Sequence, residues 1–258
     1  MVNKYLELKV GRLFYTFSGQ GKTIVFLHGW GQNFSTFSRL IPHLENNFSI
    51  LGIDLFGFGM SDEPLFPLSL DDYVESVKLL FQELKIENPI LIGHSFGGRI
   101  AIRYAARNPL SGLILISSAG IRKRSLKRFL KVRAYKIKRL ILRIISKEKY
   151  NDLVKKSGSA DFLNASVVMK RTMSKVIGQH LQKDLKKIKL KTFLLWGIYD
   201  QETPYKDAEL MAKLLSDSEL IPFYKSTHFC YLEEEQRFIK IMKKILLEDK
   251  YGKVFVRN

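Results

Sequence analysis

The segment GHSFGG, residues 93–98, follows the strand-like run PILI and precedes the helix-like run RIAIRYAARN. A buried strand that only had to turn into a helix has many sequences open to it, whereas this one presents a hydroxyl between glycines. A G-x-S-x-G turn between strand and helix forces the serine backbone into a strained conformation that only small neighbours tolerate. Gly93 and Gly97 supply that room. The geometry lifts Ser95 Oγ above the sheet at the N-terminus of the helix, where backbone N–H groups and the helix dipole favour developing negative charge. Gly98, Ala101 and Ala105 then let the helix lie close to the strands. The rival reading is a tight packing turn in which Ser95 merely caps the helix, and a short pattern alone does not separate the two.

Outward from this turn, short β-rich runs alternate with helical patterns, the signature of an α/β architecture with a mostly parallel sheet flanked by helices. Eight runs read as strands. YLELKV and RLFYTFS form an opening hairpin about Gly11, and TIVFLHG, SILGIDL, PILIGHS, GLILISS, KTFLLWG and ELIPFYKS follow. From TIVFLHG onward they are nearly continuous apolar runs, as strands buried on both faces should be. Over residues 69–84, Leu70, Tyr73, Val74, Val77, Leu80, Phe81 and Leu84 recur every three or four positions, with Ser69 and Asp72 as an N-cap pair, so this stretch reads as a helix.

Between GLILISS and KTFLLWG the alternation stops. A structureless loop of that length does not belong in a compact domain, so residues 120–190 are read as an inserted helical cap, with 1–119 and 191–258 as the core. The chain has 258 residues, 46% of them hydrophobic, enough for one large domain with such an insertion. Its formal net charge of +18 is concentrated there: residues 121–191 carry 23 Lys/Arg against 4 Asp/Glu, and the rest carries 20 against 21. Asymmetry of that kind calls for a local explanation. Within 124–146, Leu126, Phe129, Leu130, Ile137, Leu140, Ile141 and Ile144 recur at helical spacing. Arg128, Lys131, Lys138 and Arg139 fall on the other side, and Arg133 interrupts the apolar stripe. The default expectation is a cap helix that buries one face on the core and solvates the other.

Composition excludes several classes. The single cysteine, Cys230, allows no internal disulfide and fits a reducing compartment. His28, His43, His94, His180 and His228 are scattered without ligand spacing, so no metal is expected, and no motif implies a cofactor. The start MVNKYLELKV lacks the apolar stretch of a secretory signal, and the expectation is a cytoplasmic protein, with the membrane periphery as the second location.

A serine hydroxyl is a poor nucleophile unless a histidine takes its proton, and that histidine needs a carboxylate to hold its tautomer. Asp200 in WGIYDQETP stands just after the strand KTFLLWG, and His228 in KSTHFCYLEEE just after ELIPFYK. Each alone has a plainer reading: Asp200 as a cap for the helix starting near Pro204, His228 as a surface loop residue. All three lie at the C-terminal ends of strands read as parallel, hence on one side of the sheet. An oxyanion needs two N–H donors. Phe96, after the serine, supplies one, and Trp30 in HGWG, residues 28–31, supplies the other. His28 reads as a brace for its loop and His94 as a packed neighbour of the serine.

Taken together, HGWG, DLFGFGMSD (54–62), GHSFGG, the insertion after GLILISS, WGIYDQETP and STHFCYLEE resemble the α/β-hydrolase superfamily from about residue 12 to about 248. The resemblance implies an eight-stranded, largely parallel α/β-hydrolase sheet, with Asp54 and its turn as a structural loop. Thr227 stands where relatives often have glycine, and the turn joining the first two strands is weakly signalled. Serine at the elbow argues against the dehalogenase branch, which carries aspartate there.

The reading that follows is a serine hydrolase of carboxylic esters, with Ser95, Asp200 and His228 as the triad. In such enzymes the insertion lines the acyl pocket, so substrate choice should reside in the cap. Its charge suggests an acidic partner through residues 121–191: an anionic membrane surface, as for an acylglycerol lipase, or an acidic carrier protein, since HGWG and the basic lid resemble the pimeloyl-acyl-carrier-protein methyl ester esterases. Nucleic acid ranks low, because aromatics are not interleaved with the charges. The rival from another class is a hydrolase-fold protein that binds a ligand without turnover.

Overall fold

The computed structural model describes residues 2–121 and 165–247, with Ala134, Lys138, residues 140–142, Ile145 and Ser146 between them. Eight strands form one sheet: β1 (Val2–Leu8), β2 (Gly11–Ser18), β3 (Thr23–Leu27), β4 (Ser49–Ile53), β5 (Ile90–His94), β6 (Gly112–Ile116), β7 (Thr192–Gly197) and β8 (Ser218–Phe223). Their order is β1-β2-β4-β3-β5-β6-β7-β8. β2 runs antiparallel to both of its neighbours, and every other pairing is parallel. The sheet is therefore the mostly parallel one that the sequence predicts. Its opening hairpin turns at Lys9 and Val10, with Leu8 paired to Gly11. Lys-Val is no turn signal, which is why this corner is faint in the sequence. What enforces it is Gly11, at φ +133° and 3.1 Å from Asp62 Cβ at the point where its own Cβ would sit.

Apolar residues cover both faces of the sheet. On one face α1 (Leu70–Glu83) and α2 (Phe96–Ala105) pack with Leu13, Val25, Leu51, Leu91, Leu113 and Leu194. On the other, the short turn Phe34–Phe37 and the last helix pack with Ile24, Phe26, Ile92 and Phe193. α1 begins as its sequence requires. Ser69 Oγ accepts from Asp72 N and the Asp72 carboxylate accepts from Ser69 N, a reciprocal capping box.

Two expectations need correcting. ELIPFYKS reads as a strand buried on both faces, but β8 is the sheet edge and its first five residues are only half-buried. Pro222, which has no N–H for a further strand, suits that edge. Leu140 and Ile141, placed by helical spacing on a buried face, are instead 61% and 47% exposed, and Ile145 is exposed as well. A periodic stripe shows that a face would gain by leaving water, and it does not say what covers it. Leu126, Phe129, Leu130, Ile137 and Ile144, with Arg128, Lys131, Arg133 and Arg139, lie outside the described residues.

Between β6 and β7 the described chain contains α3 (Val167–Ile177) and α4 (Gln182–Leu185). Ser166 caps α3 by accepting from Met169 N, and Met169, Thr172 and Val176 form its buried face. Thr172 Oγ1 accepts from Leu68 N at 3.0 Å, and Lys175 Nζ donates to Pro67 O at 2.6 Å. The buried Arg99 guanidinium, one turn beyond Ser95, donates to the carbonyls of Val176 at 2.7 Å and of Gln179. α3 is thereby fixed to the helix that follows the serine turn. After β7 and β8 come α5 (Tyr205–Leu214), α6 (Cys230–Glu233) and α7 (Glu235–Leu247).

Candidate active site

Ser95 follows β5 directly and holds φ +49° and ψ −108°, a conformation that residues with a side chain rarely adopt. The surrounding glycines are required by space. A Cβ on Gly93 would lie 2.7 Å from Gly97 O, and one on Gly97 would lie 2.1 Å from Leu27 O. Gly97 N donates to His28 O at 3.0 Å, joining this turn to the loop after β3.

That loop is braced by His28, as its sequence suggests. The buried ring donates from Nδ1 to Gly29 O at 2.7 Å and accepts at Nε2 from Leu55 N at 2.9 Å. Burial lowers its pKa to about 4, so the ring is neutral at neutral pH. The Trp30 ring packs edge-on against Phe96 at 5.3 Å and Phe58 at 4.9 Å. Neither the Trp30 nor the Phe96 amide donates a hydrogen bond among the described residues. Asp54 is structural. It is buried and accepts from Phe34 N at 2.7 Å and Met60 N at 2.8 Å.

Asp200 and His228 meet. Asp200 Oδ2 accepts from His228 Nδ1 at 2.8 Å and from Thr203 Oγ1 at 2.8 Å, while Oδ1 accepts from the amides of Glu202 and Thr203, both at 2.9 Å. Burial favours the neutral acid, but these donors outweigh it and hold the Asp200 pKa below the usual carboxylate value. His228 Nε2 faces Glu202 Oε2 at 3.4 Å, and among the described residues no hydrogen bond joins it to Ser95 Oγ. The two are neighbours through His94, whose Nε2 donates to His228 O at 3.0 Å with the rings 4.8 Å apart.

Sequence reasoning missed several supports. His94 is more than a packed neighbour: burial and then the adjacent His228 lower its pKa to about 3, leaving a neutral ring that holds the His228 backbone. Thr203 joins Asp200 to the carbonyl of Ser117, and its own carbonyl accepts from Trp196 Nε1 at 2.6 Å. The histidine loop is pinned by two acids of α6 and its end. Glu233 accepts from the amide and hydroxyl of Thr227, and Glu234 from Lys225 N and Ser226 Oγ. Acids six to nine residues beyond a loop carry no distinguishing pattern. The run EEE at 233–235, five residues beyond the histidine, was the one available signal. Cys230 is buried, and burial pushes its thiol pKa well up, which leaves it unreactive. No cluster suited to a metal occurs among the described residues.

The family model described as alpha/beta hydrolase fold matches residues 22–235. This chain belongs to that family. Among relatives of the alpha/beta hydrolase fold, the AB hydrolase superfamily protein YisY of Bacillus subtilis is 32% identical over 247 residues, covering 87% of this chain and 91% of its own. A pimeloyl-[acyl-carrier protein] methyl ester esterase of Legionella pneumophila is 26% identical over 88% of this chain and 96% of its own. The solved esterase of Exiguobacterium antarcticum superposes with a TM-score of 0.73 at 23% identity, over 92% of this chain and 96% of that one.

Proposed function

We propose that the chain hydrolyses carboxylic esters through an acyl-enzyme on Ser95. The observation that carries this reading is the Asp200–His228 hydrogen bond of 2.8 Å, lying beside a serine held at φ +49° between β5 and α2. Ser95 Oγ attacks the ester carbonyl while His228 Nε2 takes its proton. Contacts of this kind are often long without substrate and tighten in the reacting complex. Asp200 keeps Nδ1 protonated and stabilises the imidazolium. The carbonyl oxygen becomes an oxyanion facing the Trp30 and Phe96 amides, and on collapse the proton passes from Nε2 to the leaving alcohol. Water, deprotonated by His228, then attacks the acyl carbonyl and releases the acid, restoring the serine.

A p-nitrophenyl ester series from acetate to palmitate, with Ser95→Ala run in parallel, tests the reading. Turnover that peaks at one chain length and disappears in the variant is the expected outcome. A folded protein with no turnover at any length would overturn the general-esterase reading and favour either a dedicated carrier-bound ester or ligand binding without chemistry.

A further inference from the structure

We propose that the loop around residues 60–67 and helix α3 together form a docking surface for an anionic lipid bilayer. Delivery of esters from that bilayer to Ser95 rests on the function proposed above, whereas docking does not.

The loop places large apolar side chains in water on a backbone that is pinned. Leu65 is 76% exposed, Phe66 48% and Met60 60%. Leu65 N donates to Val10 O at 3.2 Å, Gly57 N to Asp62 O at 2.9 Å, and Leu68 N to Thr172 Oγ1 on α3. Leu65 and Phe66 are thus held in water by an anchored backbone. On α3 the exposed residues Val167 and Ile177 extend the apolar character, and Lys175 reaches back to Pro67 O, so helix and loop act as one unit.

Charge complements the apolar side chains. α3 carries Lys170, Arg171 and Lys175 and no acid. Lys9, beside the Val10 carbonyl that holds Leu65, adds another exposed cation. The loop contains two acids, Asp62 and Glu63, and Asp62 is neutralised by Arg12 through contacts of 3.1 Å from both Nε and Nη2. Apolar side chains interleaved with cations, at low acid content, suit the boundary between headgroups and acyl chains of an anionic bilayer. An acidic protein would be served by the cations alone and gives Leu65 and Phe66 no role.

The surface also lies at the right end of the sheet. β2 runs antiparallel to β4, so the β1–β2 turn that holds Leu65 is at the end where β3 to β8 finish, the end that carries Ser95 and His228. Gly57 lies against Met169 of α3, and Phe58 beside it packs on Trp30. Docking here turns toward the lipid the end of the sheet that carries Ser95.

Vesicle flotation with the Ser95→Ala protein, in which no lipid can be consumed, reads docking separately from hydrolysis. Binding to vesicles of equimolar phosphatidylglycerol and phosphatidylcholine, absent with phosphatidylcholine alone and released by high salt, is the first expected result. The second is that Leu65→Ser with Phe66→Ser weakens partitioning about tenfold with an unchanged thermal melt, since both side chains are exposed. No binding to the anionic vesicles overturns the proposal. Equal binding by the variant overturns it too, by showing attraction through charge alone. Capture by polyglutamate without vesicle binding assigns the cations to an acidic protein instead.

Discussion

At Asp200, two oxygens receive four donors, and only one of them is the histidine. The other three aim the carboxylate, and His228 together with Thr203 keeps it ionised against its burial, so the bond to His228 Nδ1 is available without rearrangement. Asp200→Asn keeps the volume but presents an amide that donates to the ring or fails to select the Nδ1–H tautomer. Nε2 then no longer accepts the serine proton. The expected result is a loss of kcat of about ten-thousand-fold with KM nearly unchanged, measured on the best ester of the series. A loss within about tenfold would reduce Asp200 to a staple of its own loop. Its position after β7 was readable from the sequence, because strand ends follow from apolar runs. The Thr203 hydroxyl that shares the same oxygen was not, since nothing in ETP distinguishes it from any other threonine before a helix.

Elements show the same division between what periodicity encodes and what tertiary contact adds. The capping box of α1 and its buried positions were legible residue by residue, because both are local. β8 was misplaced as fully buried, although Pro222 and the flanking Glu219 and Lys225 already carried the marks of an edge. The tie between α2 and α3 left no trace in the sequence: Arg99 reaches carbonyls 77 and 80 positions away, and an arginine on a helix usually faces water. Burial lowers its pKa to about 10, with Arg103 adding to the effect, and the guanidinium remains charged. Arg99→Met would remove the charged donor shared by the carbonyls of Val176 and Gln179, leaving Val176 O only its backbone amide donors. A lost hydrogen bond to a charged group costs about 1.5–3 kcal/mol. The measurement is a urea titration with amide hydrogen exchange. Exchange across Val167–Ile177 should accelerate more than in β3 and β5, and uniform exchange would mean that α3 is held by its apolar face alone.

For the whole molecule, acid is the informative variable. His94 and His28 are buried and neutral, with pKa values of about 3 and about 4 against an ordinary 6.5. As pH falls below 6.5 the unfolded chain takes up protons at both rings and the folded chain does not, so stability falls with pH from there down to about 4. The slope is on the order of 1 kcal/mol per pH unit for each ring. Asp200, whose folded pKa is depressed, acts lower down: its contribution is present above the ordinary carboxylate value and is lost as pH falls through the folded one. Urea midpoints at about pH 7.5 and about pH 5 should therefore differ clearly, and equal midpoints would mean that one or both rings charge in place. Fold class and the end of the sheet that carries the site were legible at this scale, because eight strand-like runs, six of them apolar, and their order fix both. The exposure of Leu65, Phe66, Leu140 and Ile141 was not, because hydropathy ranks a residue's tendency to be buried and is silent on whether anything covers it.

The stretch of chain between β6 and β7 also orders events in time. About 75 residues separate Ile116 from Thr192, and a ribosome adding about 5–20 residues per second takes several seconds to make them. During that interval β1 to β6 and α2 already exist in the nascent chain, while Asp200 and His228 have yet to be synthesised. A serine hydroxyl without its base is chemically inert. On the proposed function, the growing chain therefore carries Ser95 in an inert form until Asp200 and His228 have been made, shortly before α7.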